Sequence, residues 1–114
     1  MTDQTAIDVE FLDSVIDGDT EFERELFSIF VANAEKNVKK MEDSMANKDN
    51  NGWYMSSHAF KGAAASIGAF SLSKALEYAQ KNPDDSDSKK IEVLAKIRSE
   101  LDEVLKFINS RLKD

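Results

Sequence analysis

The chain contains one histidine, His58, with Lys61 three residues on and Gly62 four residues on. Histidine is the side chain that stays substantially neutral near pH 7 while carrying a ring nitrogen able to attack phosphorus or move a proton. A lysine three residues away on a helix would be its surface neighbour. Its ammonium suits an anionic group such as a phosphoryl, which brings about −1.5 to −2 charges at neutral pH. No cysteine occurs, which excludes disulfides, thiolate metal sites and a thiol nucleophile. A di-metal carboxylate bundle would need Glu-x-x-His pairs on two helices; here the residue three before the only histidine is Met55.

Those side chains can cooperate only if an element points them the same way. Four glycines, one proline and long runs with apolar residues at steps of three and four predict an all-α chain. A short helix is expected over Ile7 to Ile16, ended by Gly18, with Asp19 or Thr20 capping the next one. That second helix is long, with an apolar stripe of Phe22, Leu26, Ile29, Phe30, Ala34, Val38, Met41 and Met45. Asn47 to Gly52 reads as a turn. A third helix is expected from about Trp53 to Ile67, ended near Gly68, and a shorter one capped by Ser71 and carrying Leu72, Ala75, Leu76 and Ala79. Asn82 to Ser86 breaks the pattern. The last helix runs from about Ser88 to Leu112, with Ile91, Leu94, Ile97, Leu101, Val104, Leu105, Ile108 and Leu112 at helical spacing. Two long helices, two shorter ones and short connections predict an antiparallel up-down four-helix bundle, with the short extra N-terminal helix across one end.

On a helix turning about 100° per residue, Trp53, Ser56, Phe60, Ala63, Ala64 and Ile67 lie opposite His58, and Tyr54, Met55, Lys61, Gly62 and Ala65 share its side. The histidine therefore points away from the core, as an ordinary surface residue or as a functional one. Gly62 bears on that choice. A glycine inside a helix costs about 1 kcal/mol relative to alanine, and a side chain at that position would lean back over His58. Glycine leaves the imidazole bare, and Ala65 one turn further on is also small. A bulky reaction partner needs such a surface.

With 114 residues, the chain is read as one domain able to bury a core without staples. Its 22 acids against 15 lysines and arginines give a net charge of −7, which argues against nucleic acid as a partner. Lys36, Lys39 and Lys40 are taken as a solvated helix face. The first ten residues hold three acids and no apolar run, so neither a signal peptide nor a membrane span is expected there, and a cytoplasmic monomer is.

The segment from His58 through Lys61, Gly62, Ser66 and Gly68 to Leu72, continuing to Leu76 and Glu77, closely resembles the signature of histidine-containing phosphotransfer (HPt) domains. In these a histidine, a lysine three on, a glycine four on, a second glycine ten on and a later Leu-Glu recur together. The resemblance implies His58 as phosphoacceptor, Lys61 as its electrostatic neighbour, Gly62 as steric access, and Gly68 as a site of close packing at the turn. Phe60 departs from the smaller aliphatic more usual there; it faces the core, so repacking is expected. Tyr54, Met55 and Ala65 are candidates for a docking rim, or else ordinary exposed residues.

The resemblance further implies a phosphorelay, with response-regulator receiver domains and a sensor or hybrid histidine kinase as partners. Mg²⁺ and most catalytic groups would belong to the receiver, so the chain has no cofactor of its own and is a carrier more than an enzyme. An autophosphorylating kinase would need a nucleotide domain, and an acid beside its histidine with a proline nearby; here Ala59 follows His58 and the only proline is Pro83. Two alternatives stand: a helical adaptor without phosphotransfer, and the phosphoacceptor domain of a larger chemotaxis-type or hybrid kinase.

Overall fold

A computed structural model describes residues 6–112. Residues 1–5 and 113–114 lie outside the described residues, and with them half of the N-terminal stretch read above for targeting signals. Among the described residues five helices follow in order: α1 (Val9–Ile16), α2 (Thr20–Ala46), α3 (Asn50–Ser66), α4 (Phe70–Lys81) and α5 (Asp87–Leu112). Strands are absent among the described residues, and none of these helices is long and apolar enough to cross a membrane.

The helix starts are set by acceptors just ahead of them. Asp8, Asp19 and Asp49 each take the amide N–H three residues on, those of Phe11 (3.1 Å), Phe22 (2.9 Å) and Gly52 (2.8 Å), satisfying N–H groups that a first turn leaves without a partner. The Asp49 cap begins α3 at Asn50, three residues earlier than the sequence pattern suggested, because the apolar repeat starts only at Trp53. Ser86 plays the same part before α5, accepting from the Lys89 amide at 3.2 Å. The expectation that Ser71 caps α4 is corrected. That helix starts at Phe70 behind Ala69, without a side-chain cap, and Ser71 falls in its first turn.

Two ends have matching closures. After α3, Gly68 donates to the Ala65 carbonyl (3.1 Å) and Ala69 to that of Ala64 (2.9 Å), with Gly68 left-handed at φ +81°. After α2, Lys48 donates to Met45 (3.2 Å) and Asp49 to Ser44 (2.8 Å), with Lys48 in the left-handed role at φ +58°. Both are the crossed bonding pattern that terminates a helix and reverses the chain.

The cross-helix contacts run in opposite residue order, so neighbours are antiparallel. Phe30 meets Phe60 and the Ser44 hydroxyl lies against Gly52 between α2 and α3. The Trp53 indole N–H donates to the Ala79 carbonyl at 2.9 Å and the Ser73 hydroxyl to that of Lys61 between α3 and α4. Ion pairs Glu23–Arg111, Glu42–Arg98 and, just past the end of α2, Lys48–Asp87 step along α2 in one direction and α5 in the other. With α4 against α5, the four close into an up-down bundle.

At 1.5 Å rise per residue, the 27 residues of α2 span about 40 Å, nearly the 43 Å length of the molecule. The 17 residues of α3 span only about 26 Å. Beyond the α3–α4 turn the long pair would be bare on its apolar side. There α1 lies across it, burying Leu12 and Ile16. The Asp8 amide donates to the Gly68 carbonyl at 2.9 Å, Phe11 packs edge-on to Phe70, and Arg111 reaches Asp13 at 2.5 Å and Glu23 at 2.6 Å. The bond to Asp13, foremost, holds the Arg111 guanidinium charged against the opposing effect of its partial burial.

The core is built from Phe27, Phe30, Met41, Trp53, Phe60, Ile67, Leu72, Leu76, Ile97 and Val104, among others. Phe22, Ile29 and Ile91, placed on the core stripes by spacing, are exposed; Phe27 and Val93 take the inward positions instead. A stripe displaced by one residue turns by about 100° and still satisfies the three-and-four rule. Which stripe is buried depends on where the neighbouring helices sit.

Candidate functional site

His58 occupies the midpoint of α3, eight residues from either end, on the side away from the bundle. The inward side is filled by Trp53, Phe60 and Ala64, each at most 1 % exposed. Ser56 and Ser57 are also buried. Their hydroxyls donate back to the carbonyls of Gly52 (2.7 Å) and Trp53, which satisfies them within the helix. The buried Ser57 immediately precedes the exposed His58, so the boundary between core and surface runs between adjacent residues.

Every residue assigned to the histidine's side lies there. Tyr54, Met55 and Gly62 are exposed with His58, and Lys61 and Ala65 are half-buried. Tyr54 stacks on His58, with ring centroids 6.1 Å apart and planes 9° from parallel. Among the described residues Lys61 forms no ion pair, so its ammonium is available to an arriving anion. Lys61 also borders α4 through the Ser73 hydroxyl on its carbonyl. On the other flank Met55 and Ala59 line a groove against Lys40 and Asp43 of α2, so the lysine run read as a solvated face touches the margin of the site.

The glycines divide by cause. A Cβ on Gly62 would meet nothing within 4 Å; no internal contact and no unusual backbone conformation requires glycine there. A Cβ on Gly68 would come within 3.1 Å of the Asp8 carbonyl oxygen and of the Phe11 ring, and the backbone is left-handed besides. The close packing expected at Gly68 is therefore present, and its partner is the start of α1. Gly52, read in the sequence as the end of a turn, lies in the first turn of α3, where a Cβ would lie 2.5 Å from the Ser44 hydroxyl and 2.6 Å from an Asp49 carboxylate oxygen. It lets α2 approach the capped start of α3. The Asn-Asp-Gly composition of that turn was the only local hint.

The fold and site define a helical bundle that presents one imidazole at the middle of one outer face, with a cation beside it and open space above it. The Hpt domain model matches residues 25–107, from within α2 to within α5, and the chain belongs to the Hpt domain family, whose work is histidine phosphotransfer in two-component signalling. Among solved structures, histidine-containing phosphotransfer protein B (HptB) from Pseudomonas aeruginosa PAO1 is similar, with a TM-score of 0.86 at 15 % identity over 96 % of each chain. At that identity the likeness speaks for the fold. Comparison with curated proteins gives no match.

Proposed function

We propose that His58 is the phosphoacceptor of a phosphorelay, taking a phosphoryl group from the phosphoaspartate of one receiver domain and passing it to the aspartate of another. The observation that carries this is the exposed imidazole at mid-helix beside a glycine that no internal contact explains. In the first step a ring nitrogen lone pair attacks phosphorus. An N–P bond forms, and the P–O bond to the aspartyl group breaks with its electron pair returning to the carboxylate. The positive charge left on the ring is relieved when the other ring nitrogen releases its proton to water. The second step runs the same exchange backwards onto a different carboxylate.

Lys61 stabilises the phosphorylated form through charge, and Gly62 admits the partner's phosphoaspartyl loop. Tyr54, Met55 and Ala65 form the docking rim. Mg²⁺ and most of the charge stabilisation in the transition state are assigned to the receiver, so the chain is a carrier and a substrate. Its 114 residues act as one such domain, a cytoplasmic monomer that serves receiver domains and, upstream, a sensor or hybrid kinase.

The test is incubation with a phosphorylated receiver. The wild-type chain should acquire acid-labile, alkali-stable label, and His58→Gln should acquire none. Label retained by His58→Gln, or none on the wild type, would remove the assignment.

A further inference from the structure

We propose that Tyr54 is a positioning residue for His58, holding the imidazole parallel to its own ring so that the nitrogen-bearing edge faces the incoming phosphoryl group. This rests on the assignment of His58 as phosphoacceptor. Tyr54 precedes His58 by four residues, one turn along the same face of α3. Nearly parallel planes at a centroid separation of 6.1 Å make an offset stack, one of the two preferred arrangements of aromatic pairs. Among the described residues no hydrogen bond holds the His58 ring. An exposed side chain without such a bond samples several staggered rotamers, and the stack favours one of them.

The choice of a stack has a chemical consequence. The attacking lone pair of an imidazole lies in the ring plane, so a contact on the ring face leaves both nitrogens free. A hydrogen bond to the ring would instead occupy one nitrogen. A tyrosine serving only as docking rim would not hold the ring in this way.

Two donors separate these roles. Phosphoramidate is small and needs no docking surface, whereas a phosphorylated receiver needs one. Tyr54→Leu should slow labelling by phosphoramidate by about three- to tenfold, the size expected for loss of an aromatic pair. It should also shift the His58 Hδ2 and Hε1 proton resonances as the tyrosine ring current is lost. Tyr54→Phe should keep those resonances in place and the rate within about twofold of wild type, since the ring is retained.

Circular dichroism should show unchanged helicity in both variants. The positioning role is overturned if Tyr54→Leu keeps the wild-type phosphoramidate rate, including the case in which only the receiver concentration for half-maximal transfer rises, or if the His58 resonances do not move. A wild-type chain that takes no label from either donor overturns the phosphoacceptor assignment, and with it the positioning role, whatever the resonances show.

Discussion

Gly62 and Gly68 lie six residues apart on and just after the same helix, and they are glycines for opposite reasons. The turn at Gly68 is explained from inside the molecule: a left-handed backbone, and a Cβ that would press on Asp8 and Phe11. The outer face at Gly62 has an ordinary helical backbone and open space where a side chain would go. The proposal that a partner reaches the His58 face rests on this difference: a destabilising residue without internal need on one side, an internally required one on the other.

Substitutions can break or sharpen the contrast. Gly68→Val should lower the unfolding free energy by about 2–4 kcal/mol, combining left-handed strain for a β-branched residue with overpacking, as measured by urea denaturation. A loss within 0.5 kcal/mol, a range ordinary for surface changes, would dissolve the internal explanation. Gly62→Ala should act in the other direction and raise stability by about 0.5–1 kcal/mol. A destabilised Gly62→Ala would reveal an internal role and end the comparison. Lys61→Gln, next to the open position, should leave stability nearly unchanged and reduce the yield of phosphorylated chain by about two- to fivefold, the range for a partly exposed charge pair. Unaltered yield would confine Lys61 to solubility.

Much of this was legible in the sequence because it is local. The direction of His58 follows from the helical repeat and the apolar partners Trp53, Phe60, Ala64 and Ile67, all of which turned out buried. The Asp19 cap and the break at Asn82 to Ser86 needed only neighbouring residues. What escaped depends on distant ones. Phe27 rather than Phe22 faces inward, a choice set by where the helices packed on α2 sit. Gly52 is required by Ser44 across a turn. The burial of Lys90, 2 % exposed with its ammonium on Asn50 at 3.0 Å and over the Trp53 ring, has no signature in a run of charged residues. The stack of Tyr54 on His58 was within reach of the four-residue spacing, but the rotamers that create it were not.

The most direct test of an outward face shaped for a bulky partner is to label Gly62→Gln with two donors in parallel. Transfer from a phosphorylated receiver should fall at least about tenfold, equivalent to 1.4 kcal/mol of lost access, while labelling by phosphoramidate stays near the wild-type rate and helicity is retained. Equal rates with the receiver for Gly62→Gln and wild type would contradict the account.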